Sequence, residues 1–454
     1  MVVKNEKNLG EGSVGKLLVQ LALPAIAAQL INLLYNLVDR MYIGRIPEIG
    51  ASALTGVGVS LPVILVISAF AALVGSGGAP RAAIMMGRGD KETAEKILGN
   101  CVSALVILSV ILTIIILLFS HPILMAFGAS EETITYAQDY MQIYAIGTIG
   151  VQIALGLNPF ITTQGFSTMG MLTVSIGAVL NIILDPIFIF GFNMGVKGAA
   201  IATVISQAVS AIWVVRFLMS KKSGLRIKKQ YLAIDFKILG PVIALGISPF
   251  IMQATESLIA VTFNTSLLKY GSDLAVGAMT ILSSVMQFAM LPIIGLTQGA
   301  QPIISFNFGA RNPDRVKKAF YLLLISSTVY TFTLWGSVML FPTAFAKIFT
   351  NSEELIELSA WAIRIYMATA FVFGVQLSCQ QTFIALGKAK ESIFLALLRK
   401  IILLIPLIYI LPHVFPGDKV MAVFLAEPVA DTIAVIATAT LFFIQFKKIR
   451  EEMV

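Results

Sequence analysis

The chain is a succession of long apolar stretches separated by short polar segments. Apolar runs recur from Leu17 to Phe446, and each is long enough to cross a hydrocarbon core of about 30 Å as a helix. The run from Val102 to Phe119 is almost unbroken in apolarity, unlike the alternating strands of a membrane β-barrel. We therefore expect an all-α polytopic membrane protein with twelve spans, at approximately 17–44, 51–79, 97–119, 134–158, 163–191, 198–219, 238–269, 275–303, 318–342, 355–385, 391–412 and 419–446.

The composition agrees with this pattern, because 57% hydrophobic against 12% charged residues lies outside the range of soluble domains. A net charge of +8 raises the possibility of a nucleic-acid partner, but the basic residues concentrate in alternate connecting segments. This asymmetry follows the positive-inside rule, so we expect a prokaryotic plasma-membrane protein with both termini cytoplasmic and no nucleic-acid partner. The segments assigned to the cytoplasm contain Lys4, Lys7, Lys16, Arg81, Arg88, Lys91, Lys96, the 216–237 stretch, Arg311, Arg315, Lys317, Lys318, Lys388, Lys390, Lys447, Lys448 and Arg450.

The chain is also an internal duplication. A shift of 222 residues pairs segment 127–132 with 349–354, Gly77 with Gly299 and Gly87 with Gly309. Each half contains six predicted spans, so both halves enter the membrane from the same face and are related by an axis along the membrane normal. Two parallel repeats of this kind suit alternating access, in which two lobes rock about a central cavity.

The duplication also divides the chain into domains. We expect residues 1–220 to form an N-terminal six-helix lobe, 221–237 a polar cytoplasmic connector, and 238–454 a C-terminal six-helix lobe.

Polar residues inside the spans are the candidates for function, because a charge near the bilayer centre costs roughly 2.5 kcal/mol or more. Asn32, Tyr35, Asn36 and Asp39 share one face of the first span, being spaced i, i+3, i+4 and i+7. We expect this face to point away from lipid.

The fifth and sixth spans carry further polar pairs one helical turn apart. Asn181 and Asp185 form the first pair, and Thr203 and Gln207 form the second. Two carboxylates with an amide and a hydroxyl suit a shared proton or a small hard cation. The alternative is a set of hydrogen bonds that only holds the spans together.

The repeat favours an ion site in the N-terminal half. Asp39 corresponds to Asn264, and Asn181, Asp185 and Thr203 correspond to leucines at 403, 407 and 425. A network that the fold itself required would be expected to recur in both halves.

The C-terminal half has its own polar and adaptable side chains. Gln253 and Glu256 lie on one side of the seventh span, and Glu256 is a candidate to bind a cationic substrate, to carry a second proton, or to pair with Arg364 or Arg399. The eighth span carries Met286, Phe288 and Met290, which suit either an adaptable substrate wall or ordinary helix packing. Glu427 and Asp431 are more typical of a structural or gating pair in the twelfth span.

Taken together, these features resemble the multidrug and toxic compound extrusion family. Besides the twelve spans in two parallel halves, the resemblance rests on Leu23-Pro24 and on the segments 38–45, 87–90, 181–186 and 307–312. It implies a V-shaped pair of lobes and antiport, with organic cations leaving as H⁺ or Na⁺ enters. No cofactor is expected, and the expected partners are small organic cations, drugs and membrane lipids, with a monomer as the functional unit.

The resemblance also assigns residues. Asp39, Asn181, Asp185 and Thr203 match the family's cation site, and the first three would be the metal ligands if the coupling ion is Na⁺. Glu256 matches an acid that one branch uses in the seventh span, but no acid stands at the centre of the tenth span. The expected substrate cleft comprises Asn36, Gln207, Gln253, Glu256, Met286 and Met290.

Three alternative functions compete with antiport. A flippase for a lipid-linked sugar often has extra spans and more cationic cavity residues, which this sequence lacks. A membrane-embedded enzyme is disfavoured because HExxH, P-loop and GxSxG motifs are absent from the sequence. A channel is disfavoured by the duplicated architecture.

Overall fold

The computed structural model describes residues 9–415 and 417–453, with the side chain of Glu452 left out. Lys4 and Lys7, which contribute to the predicted topology, lie outside the described residues. The N-terminal half is built from helices α1 Val14–Gly44, α2 Gly50–Gly87, α3 Lys91–Ala126, α4 Ile134–Ile146, α5 Thr148–Thr162, α6 Ser167–Pro186, a π-helical turn Ile187–Gly191, and α7 Gly195–Met219.

A short 3₁₀ turn, Lys229–Tyr231, lies between this half and the C-terminal half. The latter contains α8 Phe236–Tyr270, α9 Asp273–Gly309, α10 Pro313–Leu340, α11 Pro342–Lys347, α12 Glu353–Tyr366, a 3₁₀ turn Ala370–Val372, α13 Phe373–Ala385, α14 Ala389–Leu397, a π-helical segment Leu398–Leu404, α15 Ile405–Val414 and α16 Lys419–Met453.

The prediction of a twelve-span helical membrane protein is confirmed. Ten helices of the described chain are long and apolar enough to span a membrane, and two bent helix pairs bring the number to twelve. The bent pairs are α4 with α5, at 61°, and α12 with α13, at 49°. The sequence predicted each pair as one span, at 134–158 and 355–385, without a bend. Their breaks fall at Gly147 and near Thr369, which the 222-residue shift pairs, so the bend is part of the repeat.

The two halves meet through four helices near the end of the molecule that carries the connector. Helix α1 packs extensively against α9, and α2 packs against α8 and α9. Phe70 of α2 contacts Phe250 of α8 with ring centroids 5.0 Å apart, and Gln29 of α1 donates a hydrogen bond to Gln298 of α9 over 3.2 Å. The lobes therefore converge at the connector end.

Two glycines paired by the repeat explain how closely the halves approach. A Cβ on Gly87 would lie 2.0 Å from the carbonyl oxygen of Phe306, and a Cβ on Gly309 would lie 2.0 Å from that of Ile84. The 222-residue shift relates Gly87 to Gly309 and Ile84 to Phe306. The same contact is therefore made twice about a pseudo-twofold axis, which is how parallel repeats pack.

The start of α1 and the start of α8 each pack into a hydrophobic core of the opposite half. The start of α1, including Leu17 and Leu21, packs into a cluster formed otherwise by the C-terminal half. The start of α8, with Leu239 and Val242, packs into a cluster of the N-terminal half.

The connector is docked against the N-terminal half. Gln164 accepts hydrogen bonds from the backbone of Leu225 (2.8 Å) and from the Ser223 hydroxyl (3.1 Å). Glu95 of α3 pairs with Lys228 over 2.5 Å, and this hydrogen-bonded pair raises the pKa of the Lys228 ammonium above its ordinary value. The connector therefore packs on the N-terminal half.

Candidate functional site

The polar face of α1 lies against α6, in the part of the N-terminal half away from the connector. Asp39 is half-buried, and its Oδ1 atom is buried with no hydrogen-bond donor within reach among the described residues. Asn36 donates a hydrogen bond to the carbonyl of Asn32 over 2.6 Å. This end of α1 therefore presents a carboxylate inward.

Three of the candidate residues from α6 and α7 form a hydrogen-bonded group. The Asn181 amide donates to Oδ1 of Asp185 over 3.1 Å and reaches Oγ1 of Thr203 at 3.3 Å. All three residues are buried, Asp185 completely. Their spacing explains the contact, because residues four apart on a helix face the same way and α6 packs along α7.

The carboxyl groups of Asp39 on α1 and Asp185 on α6 lie near each other. Oδ2 of Asp185 and Oδ1 of Asn181 are also buried without a donor in the described structure. Two facing carboxylates repel each other when both are ionised, and buried oxygens without donors are costly. The arrangement is therefore suited to take up a proton or a small cation that prefers oxygen ligands.

Two tyrosines, Tyr35 and Tyr140, complete this group. The sequence analysis identified Tyr35 but not Tyr140. The Tyr140 hydroxyl lies beside Thr203 and Asp39, and Tyr35 lies near both acids. Tyr136, Tyr140 and Tyr144 recur at i, i+4 and i+8 in the fourth span, and this stripe was the available signal. A phenolic hydroxyl can donate a hydrogen bond to a carboxylate or accept one, so Tyr140 belongs among the candidate residues.

Polar residues of α1 and α8 continue the helix faces through which the two halves meet. Gln253 and Glu256 continue the helical face on which Val242 and Phe250 contact α2. Asn36 likewise continues the face of α1 that meets α9 through Gln29. The Glu256 side chain is 53% exposed.

The positions of Gln207, Met286 and Met290 give less support to their expected place in the substrate cleft. Gln207 is half-buried one turn from Thr203. Met286 and Met290 pack against the core cluster of the C-terminal half, on the side of α9 opposite the face that meets α1. Phe288, 43% exposed, lies instead on the face of α9 that meets α1. The positions of the two methionines therefore favour ordinary helix packing over a substrate wall.

The C-terminal half contains a cluster of charged side chains that the sequence interpretation did not assemble. Glu256 pairs with Lys400 over 2.8 Å, and not with Arg364 or Arg399. Arg399 instead binds Asp431 over 2.7 Å and Glu427 over 3.1 Å. The two basic residues lie in the π-helical segment Leu398–Leu404, whose altered register lets adjacent residues both point inward.

These features together define a class of protein: a membrane transporter of two parallel six-helix lobes, with an acid pair in the N-terminal lobe whose oxygens include buried, unpartnered ones. The comparisons with known proteins agree. The MatE family model matches residues 24–187 and 249–410, which is more than half of the chain.

The chain therefore belongs to the MatE family, whose members are transporters and not enzymes. It is similar to the multidrug export protein MepA of Staphylococcus haemolyticus, with 24% identity over 93% of both chains. Among solved structures it superimposes on a MATE protein in a bent conformation, with a TM-score of 0.91, 23% identity and 98% coverage of both chains. It also matches an outward-facing multidrug resistance MATE transporter, with a TM-score of 0.91, 22% identity and 99% coverage of both chains. These structural matches establish the fold.

Proposed function

We propose that this protein is a secondary active multidrug exporter that moves organic, mostly cationic, amphipathic compounds out of the cell in exchange for H⁺ or Na⁺. The observation that carries the proposal is the Asp39–Asp185 pair, in which each carboxylate has a buried oxygen without a partner among the described residues and Asp185 is hydrogen-bonded to Asn181, next to Thr203. The similarity to a protein named as a multidrug exporter supports the class of substrate.

In this mechanism Asp39 and Asp185 exchange the coupling ion. A proton or Na⁺ removes the repulsion between the two carboxylates and so favours the packing of α1 against α6 that brings them together. The amide of Asn181 orients Asp185, and Thr203 supplies a further oxygen ligand. For Na⁺ the protein ligands would be Asp39, Asn181 and Asp185, because hard cations prefer such oxygens.

The cleft between residues 1–220 and 238–454 receives the substrate, and these two lobes rock about their contact. We further propose that both termini are cytoplasmic, which puts the contact at the connector end on the cytoplasmic side and makes this an outward-open arrangement. Glu256 supplies a negative charge on the cleft wall for an organic cation. We infer that one chain is the transport unit, because both the ion site and the cleft are formed within it.

Dye transport into inverted vesicles tests the proposal. With a pH gradient and a Na⁺ gradient imposed separately, a fluorescent organic cation is expected to accumulate under at least one of them. Accumulation that is independent of both gradients would contradict ion coupling. No accumulation under either gradient would contradict export of such cations.

A further inference from the structure

Five charged side chains on α8, α16 and the π-helical segment form one cluster beside the cleft. Three of them are carboxylates (Glu256, Glu427 and Asp431), and two are basic (Arg399 and Lys400). One negative charge is therefore in excess. All except Glu256 are buried, so Glu256 is the member of the cluster that a ligand can reach.

The two basic residues differ in how firmly they are held. Arg399 binds both Asp431 and Glu427, and its guanidinium lies 4.7 Å from the ring centroid of Phe373. Lys400 has a single hydrogen-bond partner in the described structure, Glu256. A lysine on a flexible stem with one partner can exchange it, whereas the arginine fork is fixed at two points and stacked on a ring.

A second acceptor for Lys400 is already present. The Oε2 atom of Glu427 is buried and has no donor among the described residues, although its other oxygen accepts from Arg399. Glu427 also belongs to the same cluster, since it binds Arg399, the residue next to Lys400 in the chain. A buried carboxylate oxygen without a donor is costly, so it favours the arrival of an ammonium group.

We propose that Lys400 is a specificity-determining residue: it occupies the Glu256 carboxylate while the cleft is empty and moves to Glu427 when an organic cation takes its place. Each carboxylate then keeps a cationic partner in both states, with the substrate supplying the missing positive charge. A neutral compound offers no such replacement. This inference rests on the proposed function and names the group with which cationic substrates compete.

Replacement of Lys400 by methionine tests the competition directly. In Lys400→Met the side chain keeps its length but loses its charge, so Glu256 is freed and ethidium should bind about fivefold more tightly. Binding of the neutral dye Nile red should stay within about twofold of the wild type, or be absent in both proteins. The double variant Lys400→Met with Glu256→Gln should lose the gain. The matched control is Lys197→Met, which removes a lysine paired with Asp139 in the other half of the chain.

A second pair of variants keeps the test informative if Lys400→Met does not fold. Glu427→Gln removes the proposed alternative acceptor and should weaken ethidium binding more than Asp431→Asn, although both remove one negative charge. Equal losses of ethidium affinity in these two variants would show that only the net charge of the cluster matters. That result would overturn the proposed movement of Lys400 from Glu256 to Glu427.

Dye binding to protein in lipid nanodiscs, followed by fluorescence, provides the measurement. If the wild type binds ethidium and folded Lys400→Met binds it equally or more weakly, the proposed role of Lys400 is overturned. The proposed function is then left intact. Failure of the wild type itself to bind any organic cation would overturn both.

Discussion

At the residue scale, the account depends on two aspartates whose side chains meet from different helices. Asp39→Asn and Asp185→Asn should each abolish ion-coupled efflux, because an amide cannot exchange a proton and is a weak ligand for Na⁺. Expression and melting temperature should stay near wild-type values, since the acids repel each other rather than hold α1 to α6. Thr203→Ala should have a smaller effect.

The measurement is dye efflux from cells at matched protein levels. Asp139→Asn serves as the control, because it removes an acid that pairs with Lys197 outside the site. Wild-type efflux in both Asp39→Asn and Asp185→Asn would refute the N-terminal ion site.

How far this site could be predicted is also a matter of single residues. Helical spacing was enough to group Asn181 with Asp185, and the absence of counterparts in the second half indicated which lobe to examine. Spacing did not indicate Tyr140, because a tyrosine in an apolar span is compatible with plain packing. The Glu256–Lys400 pair was missed because the π-helical segment changes the register on which such predictions depend.

At the scale of elements, the connector determines how α3 and the start of α8 are held together. Besides the Glu95–Lys228 pair, Asn100 accepts a hydrogen bond from the backbone of Asp235 over 2.6 Å, and Ser103 donates to the carbonyl of Leu232. The polar composition of this segment predicted a boundary between domains. It could not show that α3 supplies the hydrogen-bond partners.

Limited trypsin digestion tests this docking. Glu95→Gln should speed cleavage at the basic residues of the connector severalfold, because Lys228 loses its ion pair. The matched control is Glu92→Gln, which breaks the exposed pair with Lys96 on the same helix. Since pairing raises the pKa of Lys228, the pair contributes fully below the ordinary lysine range and is lost only as the pH rises through the raised value. Equal cleavage of the two variants at neutral pH would show that Glu95 does not hold the connector.

At the scale of the whole molecule, the duplicated sequence and the contact between lobes have the same origin. The 222-residue shift aligns Gly87 with Gly309 in the sequence, and in the structure each glycine lies against the backbone of the opposite half. The place where the two lobes touch could not be read from the sequence, because it depends on packing between the halves and not on the pattern within either one.

Substitution of these glycines tests that contact. Gly87→Ala and Gly309→Ala should each lower the apparent melting temperature, because a Cβ 2.0 Å from a carbonyl oxygen forces the lobes apart at a cost of about 1–3 kcal/mol. Gly336→Ala is the control, since no atom lies within 4 Å of its added Cβ. Similar melting temperatures for all three variants would contradict a tight contact at this position.

The central claim, that ion exchange at Asp39 and Asp185 drives export, is tested most directly by transport in purified proteoliposomes. Ethidium movement would be recorded with an opposing H⁺ or Na⁺ gradient, for the wild type and for an Asp39→Asn, Asp185→Asn double variant that still binds the dye. The account predicts uphill movement in the wild type under at least one gradient, its collapse when that gradient is dissipated, and none in the double variant. Uphill movement by the double variant that still depends on the ion gradient would contradict it.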